Sequence, residues 1–456
     1  MKKASVLLIL LIMLCFNACS LKSEQQGNIN PEAYAIFKDS TLTFYYGKGK
    51  PKGAYDVENF VENNFFTYAK EWGSICSQIT TVVFDKSFKE YRPKSCSRWF
   101  MGCGFLDSIK GIKENLNTSE VTDMSNMFFG CAELTNLDVS GFNTENVIKM
   151  SLMYSYCENL TSLDVSGFNT ENVTGMSEMF RHCKNLTTLN VSGFNTEKVT
   201  DMSLMFSDCE NLTSLDVSGF NTEKVTDMRG MFLDCKKLIS IDVSGFNTEN
   251  VTDMGGMFSH CENLTSLDVS GFNTDNVTGM GGMFRACRNL TSLDVSGFNT
   301  DSVINMSDMF SDCRNLTSLD VSGFKTDSVF DMGGMFSHCE NLTSLDVSGF
   351  NTDKVTHMRF MFSACKSLTS LDVSGFKTDS VTNMREMFGH CDNLKTIYVG
   401  DNWNTNKETE SNNMFKDCPN LVGGKGTKYD EKHTDVEYAR IDGGKSNPGY
   451  FTKKTK

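Results

Sequence analysis

The chain has 456 residues and carries 43 Lys and Arg against 57 Asp and Glu, a formal charge of −14. It has no long basic run outside its Lys-rich last residues, so it lacks the phosphate-neutralising stripe that nucleic-acid binding needs. A globular chain of this length would divide into two or three domains. Here, however, cysteine recurs every 26 residues from Cys131 to Cys391, and an array of one small unit grows by adding coils rather than cores.

At the N-terminus, Met1-Lys2-Lys3 is followed by an apolar stretch from Val6 to Leu14 and then Ala18-Cys19-Ser20. These are the charged, apolar and small-residue regions of a signal peptide over residues 1–18, too short for a membrane span. A cysteine just after the apolar region resembles the lipobox of bacterial lipoproteins, which makes Cys19 the candidate lipidation site, although Phe16 and Asn17 depart from the usual pattern. The expected location is therefore the bacterial cell surface: membrane-anchored, on the outer membrane in a diderm, or secreted if Cys19 is not lipidated. Residues 19–32 read as a polar tether and 33–78 as an N-terminal cap, with a strand over Thr41–Tyr46 and an amphipathic helix from Val57 to Trp72.

A solenoid is expected over residues 79–421. Its first repeats are decayed: Ile79–Phe84 stands where LTSLDV would, Trp99-Phe100 and Cys103 echo the Met-Phe and Cys of the unit, and Leu106–Ile112 supplies another strand. Regular repeats run over about 117–399, and residues 422–456 suit a polar C-terminal cap, which an open solenoid needs to cover its end coil. The unit at Asn159–Lys184 reads NLTSLDVSGFNTENVTGMSEMFRHCK. Leu160, Leu163 and Val165 follow leucine-rich-repeat strand spacing, with Thr161, Ser162, Asp164 and Ser166 outward. Gly167 permits a turn. Val173, Met176, Met179, Phe180 and Cys183 recur at three and four residues, the spacing of one helix face, with Thr174, Asn169 or Thr170 to cap it. The expected fold is thus an α/β repeat solenoid, leucine-rich-repeat-like, with one short parallel strand and one short helix per coil. With Phe168 each unit offers nine core side chains, too few to offset the ordering of 26 residues alone, so neighbouring coils must complete the core.

Two columns carry candidate chemistry. Cys131, Cys157, Cys183, Cys209, Cys235, Cys261, Cys287, Cys313, Cys339, Cys365 and Cys391 share one inward position and are expected as an inert, unbridged core ladder, although stacking brings successive thiols within disulfide range. Asp138, Asp164, Asp216, Asp242, Asp268, Asp294, Asp320, Asp346 and Asp372 form an outward ladder of like charges, a possible ligand or cation face. Calcium could relieve their repulsion, but a solvated ladder beside Ser and Thr, with some raised carboxylate pKa values, is the favoured reading. His182, His260, His338 and His390 stand two or three coils apart, too far to share an ion, and read as surface residues of the helix. The NLT sequons read as hydrogen-bonded turns. No catalytic constellation, metal site or cofactor motif stands out, since each reactive side chain is a repeated scaffold position. Variation concentrates beside the helix, at Gly175, Asp201, Asn305 and His357 and at Arg181, Ser207, Leu233 and Ser363, the edge where specificity for a particular protein is expected.

The VTDMSNMF segment at Val121–Phe128, followed by C-x-x-L-T-x-L-D-V-S-x-F, resembles the 26-residue repeat of BspA-like leucine-rich-repeat surface proteins, the Listeria/Bacteroides-type surface repeat. The likeness covers most of the chain, including LTFYY, the segment at Trp99 and the C-terminal end. It implies a non-enzymatic bacterial surface lipoprotein that adheres to host matrix proteins, epithelium or other bacteria. A structural surface coat without a specific receptor, or a cation-binding array, are the alternatives.

Overall fold

The computed structural model describes residues 30–58, 60–61, 69–405 and 410–455; the leader and Cys19 lie outside them. The chain opens with β1 (Glu32–Lys38) and β2 (Thr41–Gly47), paired antiparallel over their whole length, with β3 (Tyr55–Asp56) on the outer edge of β1. Their alternation places Ala33, Ala35, Leu42 and Phe44 inward, as the two-residue period of a strand requires. The helix expected over Val57–Trp72 is not formed in its described part. Instead β4 (Phe60–Val61) pairs antiparallel with β5 (Ala69–Lys70), and a 3-10 helix runs over Glu71–Gln78. Trp72, fully buried, donates its indole N–H to the Trp99 carbonyl at 2.7 Å and so locks this segment to the first coil. β6 (Thr81–Phe84) and β7 (Ser108–Lys110) continue the sheet in parallel, in the order β3-β1-β2-β6-β7, and a single helical turn, α1 (Ile112–Asn115), follows.

In the coil at Asn159–Lys184, all nine predicted core side chains are buried, from Leu160 to Cys183. The segment that carries Met176 to Cys183 is not a helix. Its N–H groups alternate between two destinations. Glu178, Phe180 and His182 donate across to Ser203, Met205 and Ser207 of the next coil at 2.9, 2.9 and 2.8 Å, while Met179, Arg181 and Cys183 donate three residues back to Met176, Glu178 and Phe180. Glu178 and His182 have φ of 56° and 57°, the left-handed positions that close successive tight turns. The physical reason is pitch. Phe180 and Phe206 stack with ring centroids 5.7 Å apart, whereas packed helices need 8–10 Å between axes. A flat ribbon of turns fits that pitch, and half its amides then bond the neighbouring coil.

The LDV segments differ from expectation too. They pair as parallel strands near the ends of the array, as β8 (Ser162–Leu163) with β9 (Thr188–Leu189) and as β10 (Ser370–Val373) with β11 (Thr396–Val399). Among the described residues between them the ladder is absent, and isolated bonds such as Thr265 N–H to Ile239 O at 3.1 Å remain. The continuous parallel ladder runs elsewhere, one bridge per coil from Ser95 through Asp123 and Asp201 to Glu410. The turn ribbon therefore holds the coils together through the middle of the array, where the described LDV backbones form no ladder of their own.

The C-terminal segment covers the last coil. β12 (Phe451–Lys453) adds in parallel to β11, and the amides that would reach a further coil are taken up instead, Phe415 N–H by Thr434 O at 2.9 Å and Asn413 N–H by Asp435 Oδ1 at 2.6 Å. Asp442, 2 % exposed, accepts from the N–H groups of Lys425, Thr427 and Gly444 and from the Thr427 hydroxyl. Burial alone would raise its pKa, but these bonds outweigh it and hold the carboxyl at about 2.

Candidate interaction surface

On the LDV face each predicted aspartate sits at the start of a small local turn. Asp164 Oδ1 accepts from Ser166 N–H at 3.0 Å and from the Ser166 hydroxyl at 2.6 Å, and Asp216, Asp242, Asp268, Asp294, Asp320 and Asp346 repeat this with the serine two residues on. Asp138 and Asp372 do the same at the ends of the column. The expected upward pKa shifts are not found. The Ser166 hydroxyl and N–H hold Asp164 below the usual carboxylate range, and the neighbouring carboxylate's opposing effect is smaller. The ladder is ionised because each charge is solvated on one oxygen by its own turn. On this face an open trough of about 670 Å³ runs along the axis between Ser292 and Asp372, with Leu293, Leu319 and Leu345 at its floor. A smaller one, about 340 Å³, lies at Ser162–Ser214.

The opposite edge holds the variable positions, and much of the variation is conformational. The residue before each array cysteine is left-handed in every coil: Gly130 has φ of 72°, and Tyr156, His182, Asp208, Asp234, His260, Ala286, Asp312, His338, Ala364 and His390 have φ between 55° and 61°. Asp and His tolerate this region better than most residues, and their recurrence just before the cysteine is the sequence signal for this turn. The histidines therefore belong to a turn ribbon rather than a helix. His182 stacks on Tyr156 at 4.2 Å and faces Asp208 at 3.3 Å, and its partial burial lowers its pKa. Gly175, Asp201, Asn305 and His357 form part of the continuous bridge column, where Asp201 Oδ1 accepts from Ser203 N–H. Asp227 in that column has a raised pKa, from burial first and then from Asp201 and Asp253. Arg181 pairs with Glu178 at 2.7 Å, while Ser207 is buried.

The cysteine column is buried and unbridged in every coil. Each thiol donates to the carbonyl of a phenylalanine or tyrosine in the preceding coil, as Cys287 to Phe258 at 3.2 Å and Cys183 to Tyr154 at 3.2 Å, and burial pushes the thiol pKa values up. Thr170, one of the three expected helix caps, has another role. Its hydroxyl, buried, donates to Asn195 O at 2.9 Å and accepts from Asn195 N–H at 2.7 Å, clamping one coil to the next. Thr144, Thr300 and Thr352 repeat the double contact. Periodic Thr at a position between two exposed residues was the available clue. The sequon asparagines stack into a surface ladder, Asn185 Nδ2 donating to Asn159 Oδ1 at 3.2 Å. Among the described residues no three His, Cys, Asp or Glu converge as a metal-ligand set, and no helix is long and apolar enough to cross a membrane.

Among solved structures, a leucine-rich repeat protein from Eubacterium ventriosum is similar over 70% of this chain and 96% of its own, at 14% identity and a TM-score of 0.32. A TLR13–ssRNA13 complex is similar over 72% of this chain and 51% of its own, at 15% identity and a TM-score of 0.24. No curated protein matches. The family model described as "Mycoplasma protein of unknown function, DUF285" matches five overlapping stretches, residues 94–215, 161–266, 210–319, 236–342 and 313–425. Those stretches include the turn ribbon, the threonine clamp and the LDV column of every regular coil, and by them the chain belongs to the DUF285 repeat family.

Proposed function

We propose that this protein is a bacterial cell-surface lipoprotein of BspA-like type, anchored through Cys19, that acts as a non-enzymatic adhesion and protein-interaction scaffold. The observation that carries the reading is the division between core and surface. The thiols, the most reactive repeated groups, are sealed in the core, while the surface presents the same polar side chains coil after coil. Such a surface gains affinity by many weak equivalent contacts rather than by one enclosed site. The ligands that suit it are host matrix or epithelial proteins, or surface components of other bacteria.

The test is binding of the fragment from Ser20 to Lys456 to immobilised fibronectin, fibrinogen, mucin and whole epithelial cells, beside a capped fragment with fewer coils. Saturable binding that weakens as coils are removed supports the scaffold reading. Background binding to all four would reject a host-directed adhesin and leave a surface coat or a bacterial partner. Replacement of Cys19 by Ala should abolish incorporation of labelled palmitate in expressing cells, and undiminished labelling would reject the anchor.

A further inference from the structure

The two oxygens of each LDV aspartate are used differently. Oδ1 is occupied by the serine two residues on, and Oδ2 takes no part in those bonds. At both ends of the column Oδ2 is met by a lysine from a flanking segment: Lys113 Nζ lies 3.2 Å from Asp138 Oδ2, and Lys454 Nζ lies 2.9 Å from Asp372 Oδ2. Lys454 also sits 4.8 Å over the Tyr398 ring. Between these ends Asp268, Asp294, Asp320 and Asp346 have the same serine-bonded Oδ1 and, among the described residues, no cationic partner on Oδ2. Three of them line the open trough whose floor is Leu293, Leu319 and Leu345.

We infer that the LDV trough is a docking face for an extended cationic polypeptide that lays lysines on alternate residues along the array. Three features support this occupant. The chain's own lysines seat on the column at each end, in the geometry a partner's lysines would take. The serine bonds keep the intervening carboxylates ionised, so charge complementarity persists well below neutral pH. The spacing also fits: same-side residues of an extended strand recur about every 6.7 Å, the Phe284 and Phe310 rings of successive coils lie 5.8 Å apart, and the flexible lysine stem spans the difference. The leucine floor accepts the methylene stems while the ammonium groups reach Oδ2. This inference deepens the scaffold reading by naming the chemistry of one partner.

The test uses the protein from Ser20 to Lys456 and a synthetic ten-residue peptide of alternating Lys and Thr, with its Glu-Thr counterpart, in fluorescence anisotropy at low and high salt. The triple variant D294N/D320N/D346N keeps the turns, because Asn190 in the same column accepts the same bonds from Ser192. The control D201N/D227N/D253N removes the same charge from the bridge column, where Asn305 and Asn383 show that asparagine supports the local turn. Binding of the Lys-Thr peptide alone, weakened about tenfold by the LDV triple variant and little by the control, is the expected result. Equal loss in both triple variants would assign the binding to net charge, and no loss in the LDV variant would remove this face as the site. Either outcome overturns the inference while leaving the matrix-binding experiment, which is read independently of this peptide, to decide the scaffold reading.

Discussion

Thr300→Val removes one oxygen from the array and changes little else. The Thr300 side chain, 1 % exposed, donates to Lys325 O at 2.8 Å and accepts from Lys325 N–H at 2.7 Å. Valine has nearly the same shape, so packing is preserved while both backbone groups of Lys325 lose their partner. An unmade hydrogen bond at a buried backbone group costs about 1–3 kcal/mol. The Lys325 side chain is exposed, so water reaches part of the site and the two losses together should come to roughly 2–3 kcal/mol. Thr300→Ser keeps the hydroxyl and should cost about 1 kcal/mol or less, through lost packing of one methyl. Because arrays of this kind lose stability coil by coil, the assay is urea unfolding joined to hydrogen exchange resolved at Lys325 and its flanking coils. Equal destabilisation by Val and Ser, with unchanged exchange at Lys325, would refute the clamp.

Three further outcomes are expected. The array cysteines should resist iodoacetamide in the folded protein and react in denaturant without prior reduction, since burial raises their pKa values and no two are bridged; a requirement for reductant would contradict this. Gly282→Ala should cost about 1–2 kcal/mol in a thermal melt, because Gly282 has φ of 62° and the nearest atom to an added Cβ is 3.9 Å away, so the cost is conformational rather than steric. An unchanged melting curve would mean that the ribbon relaxes there. The Asp442 carboxyl, depressed to about 2 in the folded state from an ordinary 3.8, contributes stability that is present above pH 4 and lost as pH falls through about 2. Asp442→Asn should flatten that acid dependence, worth roughly 2 kcal/mol, as read by exchange at Thr427 and Gly444; an unaltered acid profile would rule Asp442 out as the titrating group.

The sequence by itself determined the period, the nine buried positions of each coil, the inward cysteine column and the outward aspartate column, because each rests on which side chains must leave water and on their spacing. It did not determine how the backbone carries Met176, Met179, Phe180 and Cys183. A helix and a ribbon of successive turns both return side chains to one side every three or four residues, so the apolar pattern cannot separate them. The two differ in where the amides of Glu178, Phe180 and His182 go, and those bonds exist only when the next coil lies within hydrogen-bond reach. The LDV column shows the converse. Its strand pattern is repeated in every coil, yet among the described residues pairing forms only near the ends of the array, while the bridges of the turn ribbon and the threonine clamp run on through the middle. Side-chain burial was a property of the unit, and the destination of its backbone hydrogen bonds was a property of the stack.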